Sequence, residues 1–157
     1  MSRAFTKDDD TGLALSDIGE RPVSSARNLV TEEGLIHIER MLTDLREEFA
    51  HAEAEQERER MAIAARDLRY WQARRENAEL SVPEPDEKLV RFGMTVHLEG
   101  EDGKKATWKI VGEDEADAAA GKISHVAPVA QALFGKAQGD VVSVNGKEWE
   151  ITGLKTG

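Results

Sequence analysis

Two runs of apolar residues spaced at alternating intervals of three and four, with a purely polar run between them, fix most of what residues 31–80 can fold into. On the first, Ile38, Leu42, Leu45, Phe49 and Ala52 keep one seam turned toward a partner helix. On the second, Met61, Ala64, Leu68, Trp71 and Ala78 keep the same rhythm, and Arg75 lays a long stem across it with its guanidinium in water. The intervening AEAEQERER, Ala52 to Arg60, has no apolar seam, so the chain is expected to turn there. The result is an antiparallel hairpin with arms of about 22 residues, about 33 Å long. A single helix of about 50 residues, about 75 Å long, is the rival, because no Gly, Pro or Asn marks the turn and Ala, Glu, Gln and Arg all favour helix.

The period then changes. Ser81 to Glu87, SVPEPDE, carries two prolines that end any helix and stiffen an extended connection. Beyond it Val90, Phe92, Met94, Val96 and Leu98 alternate as a half-buried strand does, Asp102-Gly103 turns the chain, and Ala106, Trp108 and Ile110 alternate on a second strand. A short strand is expected around Ile123. A short helix follows, started by Pro128, contributing Leu133 and Phe134 to the core and capped by Gly135. Asn145-Gly146 is a type I′ signal between Val141–Val144 and Lys147–Ile151. The fold class is therefore α+β: a mobile lead-in (1–30), a coiled-coil hairpin (31–80), a proline-containing linker (81–87) and an antiparallel sheet domain with one short helix (88–157).

Among 157 residues, 33% are charged and the net charge is -10, which argues against free duplex DNA as a direct partner. Arg66, Arg69, Arg74 and Arg75 crowd the second arm, where pairing with nearby Glu is the plainer reading and contact with a phosphate the alternative. The absence of cysteine excludes disulfides and thiolate metal sites. With no apolar run of secretory or membrane-spanning length, the expected location is the cytoplasm, away from membrane. His37, His51, His97 and His125 lack the spacing of a zinc site. No nucleophile elbow or phosphate loop can be recognised.

Several segments carry a family resemblance: VTEEGL at Val30–Leu35, RDLRYWQARRENAEL at Arg66–Leu80, FGMTV at Phe92–Val96, IVGEDEAD at Ile110–Asp117 and ISHVAPVAQALFGKAQGD at Ile123–Asp140. In this order the chain resembles the GreA/GreB family of bacterial transcription elongation factors. The resemblance implies an N-terminal antiparallel coiled coil and an FKBP-like C-terminal sheet domain. It also implies binding to RNA polymerase at the secondary channel, with transcript RNA met only inside that complex. Tip carboxylates would then help hold a magnesium ion shared with the polymerase active centre, no cofactor being intrinsic, and the factor would lend ligands without being an enzyme.

The candidate tip carboxylates are Glu53, Glu55, Glu57 and Glu59. Their bland reading is a solvated acidic turn, because the family's usual tip motif is absent and both arms are shorter, by about 20 residues in all, which draws the tip back by about 15 Å. The docking candidates are Val126, Ala127 and Pro128, where the family commonly has Asp-Ser-Pro. The family motif maps to Gly112, Asp114, Glu115 and Asp117, which also suit a turn that caps backbone amides. Three functions stay open: an elongation factor whose effect extends to transcript cleavage, a channel-binding antagonist without cleavage in the manner of the Rnk relative, and a coiled-coil adaptor or chaperone acting on other proteins. A prolyl isomerase, suggested by the FKBP likeness, is set aside because Phe92, Trp108, Phe134 and Trp149 read more simply as core.

Overall fold

A computed structural model describes residues 18–157 and divides the chain into two units. One comprises His37–Asn77 with the segment up to Ser25; the other comprises Ala26–Ile36 and Ala78–Gly157. In chain order the elements are β1 (Asn28–Val30), α1 (Glu32–Ala54), α2 (Arg58–Glu76), β2 (Ala78–Leu80), β3 (Thr95–Gly100), β4 (Lys105–Val111), β5 (Lys122–Ser124), α3 (Pro128–Leu133), β6 (Val141–Val144) and β7 (Lys147–Lys155). Among the described residues no helix is long and apolar enough to cross a membrane.

In the helical unit, α1 and α2 form the expected hairpin. Their antiparallel register is fixed by cross-pairs: Glu48 with Arg60 near the tip, Glu39 with Arg75 and His37 with Trp71 toward the base. Ile38, Leu42, Ala52, Ala64 and Trp71 are buried, each of the larger ones worth about 1.5–3 kcal/mol. The seam departs from the expected one in its last turn, where Arg74, 1% exposed, is the inward residue and Arg75 lies outside, paired with Glu39. A 3.6-residue helix drifts against a 3.5-residue repeat, so the inward position moves back by one after several turns.

The lead-in expected to run loose to residue 30 differs in its last part. Residues 1–17 lie outside the described residues. Arg21 stacks over the Tyr70 ring at 3.9 Å and reaches Asp67, and Glu20 pairs with Arg69. Further on, Asn28–Val30 pair in parallel with Ala78–Leu80, so the segment expected to finish the coil is a strand. Val30 and Asn28 are buried there, and the Ser81 amide donates to the Val30 carbonyl at 3.0 Å.

The sheet unit has strand order β5-β4-β3-β7-β6. All pairs are antiparallel except β4–β5, so the sheet is mixed where alternation alone suggested an antiparallel one. A parallel neighbour needs a crossover, and the two 3-10 turns at Glu113–Glu115 and Ala118–Ala120 supply it. Asn145 (φ 52°) and Gly146 (φ 76°) both take the left-handed conformation that a type I′ turn requires. Val90, Phe92, Val96, Leu98, Ile110, Val142 and Ile151 form the core, closed by Ala130 and Leu133 of α3. Because α3 has only 6 residues, it covers part of the apolar sheet face and leaves the rest open.

Candidate functional site

Three places gather the residues singled out above. At the hairpin tip, α1 ends in a Schellman motif. The Glu57 amide donates to the Ala52 carbonyl at 2.9 Å and the Gln56 amide to Glu53 at 3.1 Å, which puts Gln56 in the left-handed region with φ 57°. Glycine usually takes that position, so a turn-residue search passes over it. Glu57 then serves as N-cap of α2 without a side-chain hydrogen bond.

The four tip carboxylates do not share one environment. The Arg60 guanidinium donates from Nε and Nη2 to the two oxygens of Glu48, at 2.8 and 3.2 Å. Its Nη1 donates to Glu55 at 2.6 Å and Glu57 at 3.0 Å. Those hydrogen bonds, Glu48 first, raise the Arg60 pKa well above its ordinary value. Reciprocally, the hydrogen bond from Arg60 holds the Glu48 carboxyl below the usual range. Glu53 and Glu59 are exposed. Among the described residues, no three His, Asp or Glu side chains are brought together as a metal would need. The tip as folded therefore does not fit a magnesium ion, since its two turn carboxylates face a guanidinium.

Depressed carboxylates give the helical unit a pH dependence. Glu48 beside Arg60 and Glu20 beside Arg69 both titrate below the ordinary glutamate value. Their contribution is present above about pH 4.3 and is lost as pH falls through the lower folded-state values. Helical ellipticity and the urea midpoint should fall on acidification through that window. A Glu48→Gln, Glu20→Gln double variant should start lower at pH 7 and lose less.

In the sheet unit, Glu115 is a structural clamp. Its carboxylate accepts from the Thr31 amide at 3.2 Å, the Gly112 amide at 3.0 Å and the Thr31 hydroxyl, while the Gly34 amide donates to Thr31 Oγ1 at 3.0 Å. A Cβ at Gly34 would collide with the Glu115 carboxylate, and one at Gly112 with the Leu29 carbonyl oxygen. VTEEGL and IVGEDEAD thus interlock. Asp114 is half-buried in the first 3-10 turn, while Asp117 is exposed and makes no side-chain cap; its backbone pairs with Lys122 instead.

The third place surrounds α3. Val126 and Pro128 are exposed and Ala127 half-buried, with Pro128 at the helix start. The loop is pinned from below: the buried His125 ring meets Phe92 edge-on at 5.6 Å, and Gln131 Nε2 donates to the His125 carbonyl at 2.7 Å. Ala127 offers no side-chain cap to α3. An Ala127→Ser substitution should therefore stabilise the domain by about 1 kcal/mol, read as a raised urea midpoint. Beyond Pro128, Val129 joins Leu98, Ala106, Trp108, Val144 and Trp149 in lining an apolar groove of about 280 Å³, with Lys147 at its rim. That volume suits one or two inserted side chains rather than a drug-sized ligand. Trp108 and Trp149, read from sequence as core, rest half-buried on it and face the groove. Trp149 pairs with Gly100, whose missing side chain leaves room for the ring, and nothing in the sequence local to either residue announces that pairing.

Comparison with known proteins gives this geometry a context. The family "Transcription elongation factor, GreA/GreB, C-term" matches residues 84–155. Transcription elongation factor GreA of Thioalkalivibrio sulfidiphilus is 51% identical over 71 residues, 42% of this chain and 45% of that one. GreA of Bradyrhizobium diazoefficiens is 53% identical over 68 residues, 40% and 43% of the two chains. The chain thus spans less than half the length of these curated relatives. Among solved structures, GreA factor homolog 1 (Gfh1) of Thermus thermophilus aligns with 82% of this chain and 99% of its own at 20% identity and a TM-score of 0.41.

Proposed function

We infer, from the match of residues 84–155 to the GreA/GreB C-terminal domain, that the chain belongs to that family and is an elongation factor that binds RNA polymerase at the secondary channel and modulates elongation. The observation that carries the reading is the presence, in one chain, of that domain and of a helical hairpin closed by an acidic turn. In this reading the sheet unit docks. Val126, Pro128 and the Trp-lined groove offer apolar contact on a scaffold fixed by His125 and Gln131. The hairpin brings carboxylates to chemistry that belongs to the polymerase, so the factor is not itself an enzyme and meets RNA only within the complex. It works where the polymerase does, in the cytoplasm.

One observation favours a second outcome. Glu55 and Glu57 are held by Arg60, which suits a channel-binding antagonist that occupies the site without stimulating cleavage. Polymerase stalled on a backtracked template separates the two. Faster transcript shortening, abolished by Glu55→Ala with Glu57→Ala, marks a cleavage factor; unchanged shortening with displacement of a standard GreA marks an antagonist. Failure to co-purify with polymerase at low salt would sink both and leave the adaptor.

A further inference from the structure

The family resemblance calls for tip carboxylates open to a divalent cation, and the folded tip departs from that at a single residue. Arg60, in the first turn of α2, gathers carboxylates from three places: Glu48 on α1, Glu55 in the turn and Glu57 at the cap of α2. The fork on Glu48, at 2.8 and 3.2 Å, fixes the guanidinium plane, and Nη1 is left to bridge Glu55 and Glu57. Gln56, left-handed between them, reverses the chain so that both flanking carboxylates reach the same cation.

Magnesium requires oxygens at about 2.1 Å in near-octahedral geometry. A carboxylate turned toward a guanidinium cannot present the same oxygens outward. A second cation brought beside the first is also repelled.

We propose that Arg60 is the positioning residue that closes the tip: it holds Glu55 and Glu57 against Glu48 and keeps them from ligating a divalent cation. The inference rests on the polymerase reading for its functional meaning, and its first test does not involve polymerase. The half-buried side chain of Arg60 lies outside the apolar seam and can be replaced without opening it, and far-UV circular dichroism of each variant checks that the hairpin persists.

In the free full-length protein, Mn²⁺ titrated alone should broaden the amide resonances of residues 53–59 in Arg60→Gln at concentrations at least tenfold lower than in the wild type. Arg60→Lys should fall between, because an ammonium cannot fork across Glu48 and bridge the other two at once. Glu48→Gln, which removes the anchor and leaves Arg60 in place, should shift in the same direction and by less. Equal broadening in wild type and Arg60→Gln overturns the inference.

The second test uses the backtracked polymerase. Arg60→Gln should shorten the transcript at least tenfold faster than the wild type at equal polymerase occupancy, and adding Glu55→Gln and Glu57→Gln should return it to the wild-type rate. A variant that binds polymerase and shortens no faster, or a gain that survives the two glutamine substitutions, overturns the inference. If no variant binds polymerase while the Mn²⁺ difference persists, the polymerase reading fails and tip closure by Arg60 stands.

Discussion

Gly112→Ala is expected to destabilise the sheet unit by about 3 kcal/mol, the upper end of the usual range for overpacking, although it adds a single methyl group. The backbone of Gly112 is ordinary, with φ -68° and ψ 163°, so the glycine is not there for conformational freedom. What it supplies is clearance. A Cβ would lie under 3.0 Å from the Leu29 carbonyl oxygen, which belongs to β1 and cannot rotate away, and at 3.0 Å from Glu115 Oε2. Relief requires β1 or the first 3-10 turn to move. Either motion separates the Glu115 carboxylate from the Thr31 and Gly112 amides, and hydrogen bonds to a charged group are worth about 1.5–3 kcal/mol each. Gly19→Ala is the control, because nothing lies within 4 Å of the new atom. The urea midpoint should drop for Gly112→Ala and hold for Gly19→Ala, and the Ser81 amide, bonded to Val30, should lose hydrogen-exchange protection in the first alone. An unchanged midpoint would refute the clamp.

Glu115 also marks where sequence reasoning stops. Periodicity reports which face of an element is apolar, and it found the two arms, the type I′ hairpin at Asn145-Gly146 and the short helix opened by Pro128. It cannot report which distant residue meets which. Thr31 and Glu115 are separated by 84 positions, and nothing local to either announces the pair. β1 and β2 were missed for a related reason: 3 residues are too few to show a period of two, and what holds them is their mutual pairing.

At the tip the acidic run was legible, but its state was not. A turn without Gly, Pro or Asn depends on Gln56 accepting a left-handed backbone, and the fate of Glu55 and Glu57 depends on where one guanidinium three residues on is anchored. The seam misplaced one residue because Arg74 and Arg75 are equally poor seam residues by type, and helical drift chose between them. Trp108 and Trp149 satisfied the strand alternation, which does not say whether a short helix will cover the face they occupy.

In the docking proposed above, with that uncovered face against the polymerase, Trp149→Ala should weaken binding about thirtyfold, or about 2 kcal/mol, as is typical of a large aromatic anchor at an interface, with Lys147→Ala at the rim near neutral. Trp149 sits on β7, where its cross-strand partners are Gly100 and Val142, so its ring contacts the core on one side and the groove on the other. Truncation therefore costs some folding stability too, and the binding measurement must be made on protein shown to be folded. Trp149→Leu keeps apolar contact with the core and removes the ring from the groove. It should leave the urea midpoint nearer the wild type than Trp149→Ala does, yet lose a comparable share of affinity. If Trp149→Leu binds polymerase as tightly as the wild type, the groove is only the unsealed edge of a small core, and docking must rest on the Val126–Pro128 loop without it.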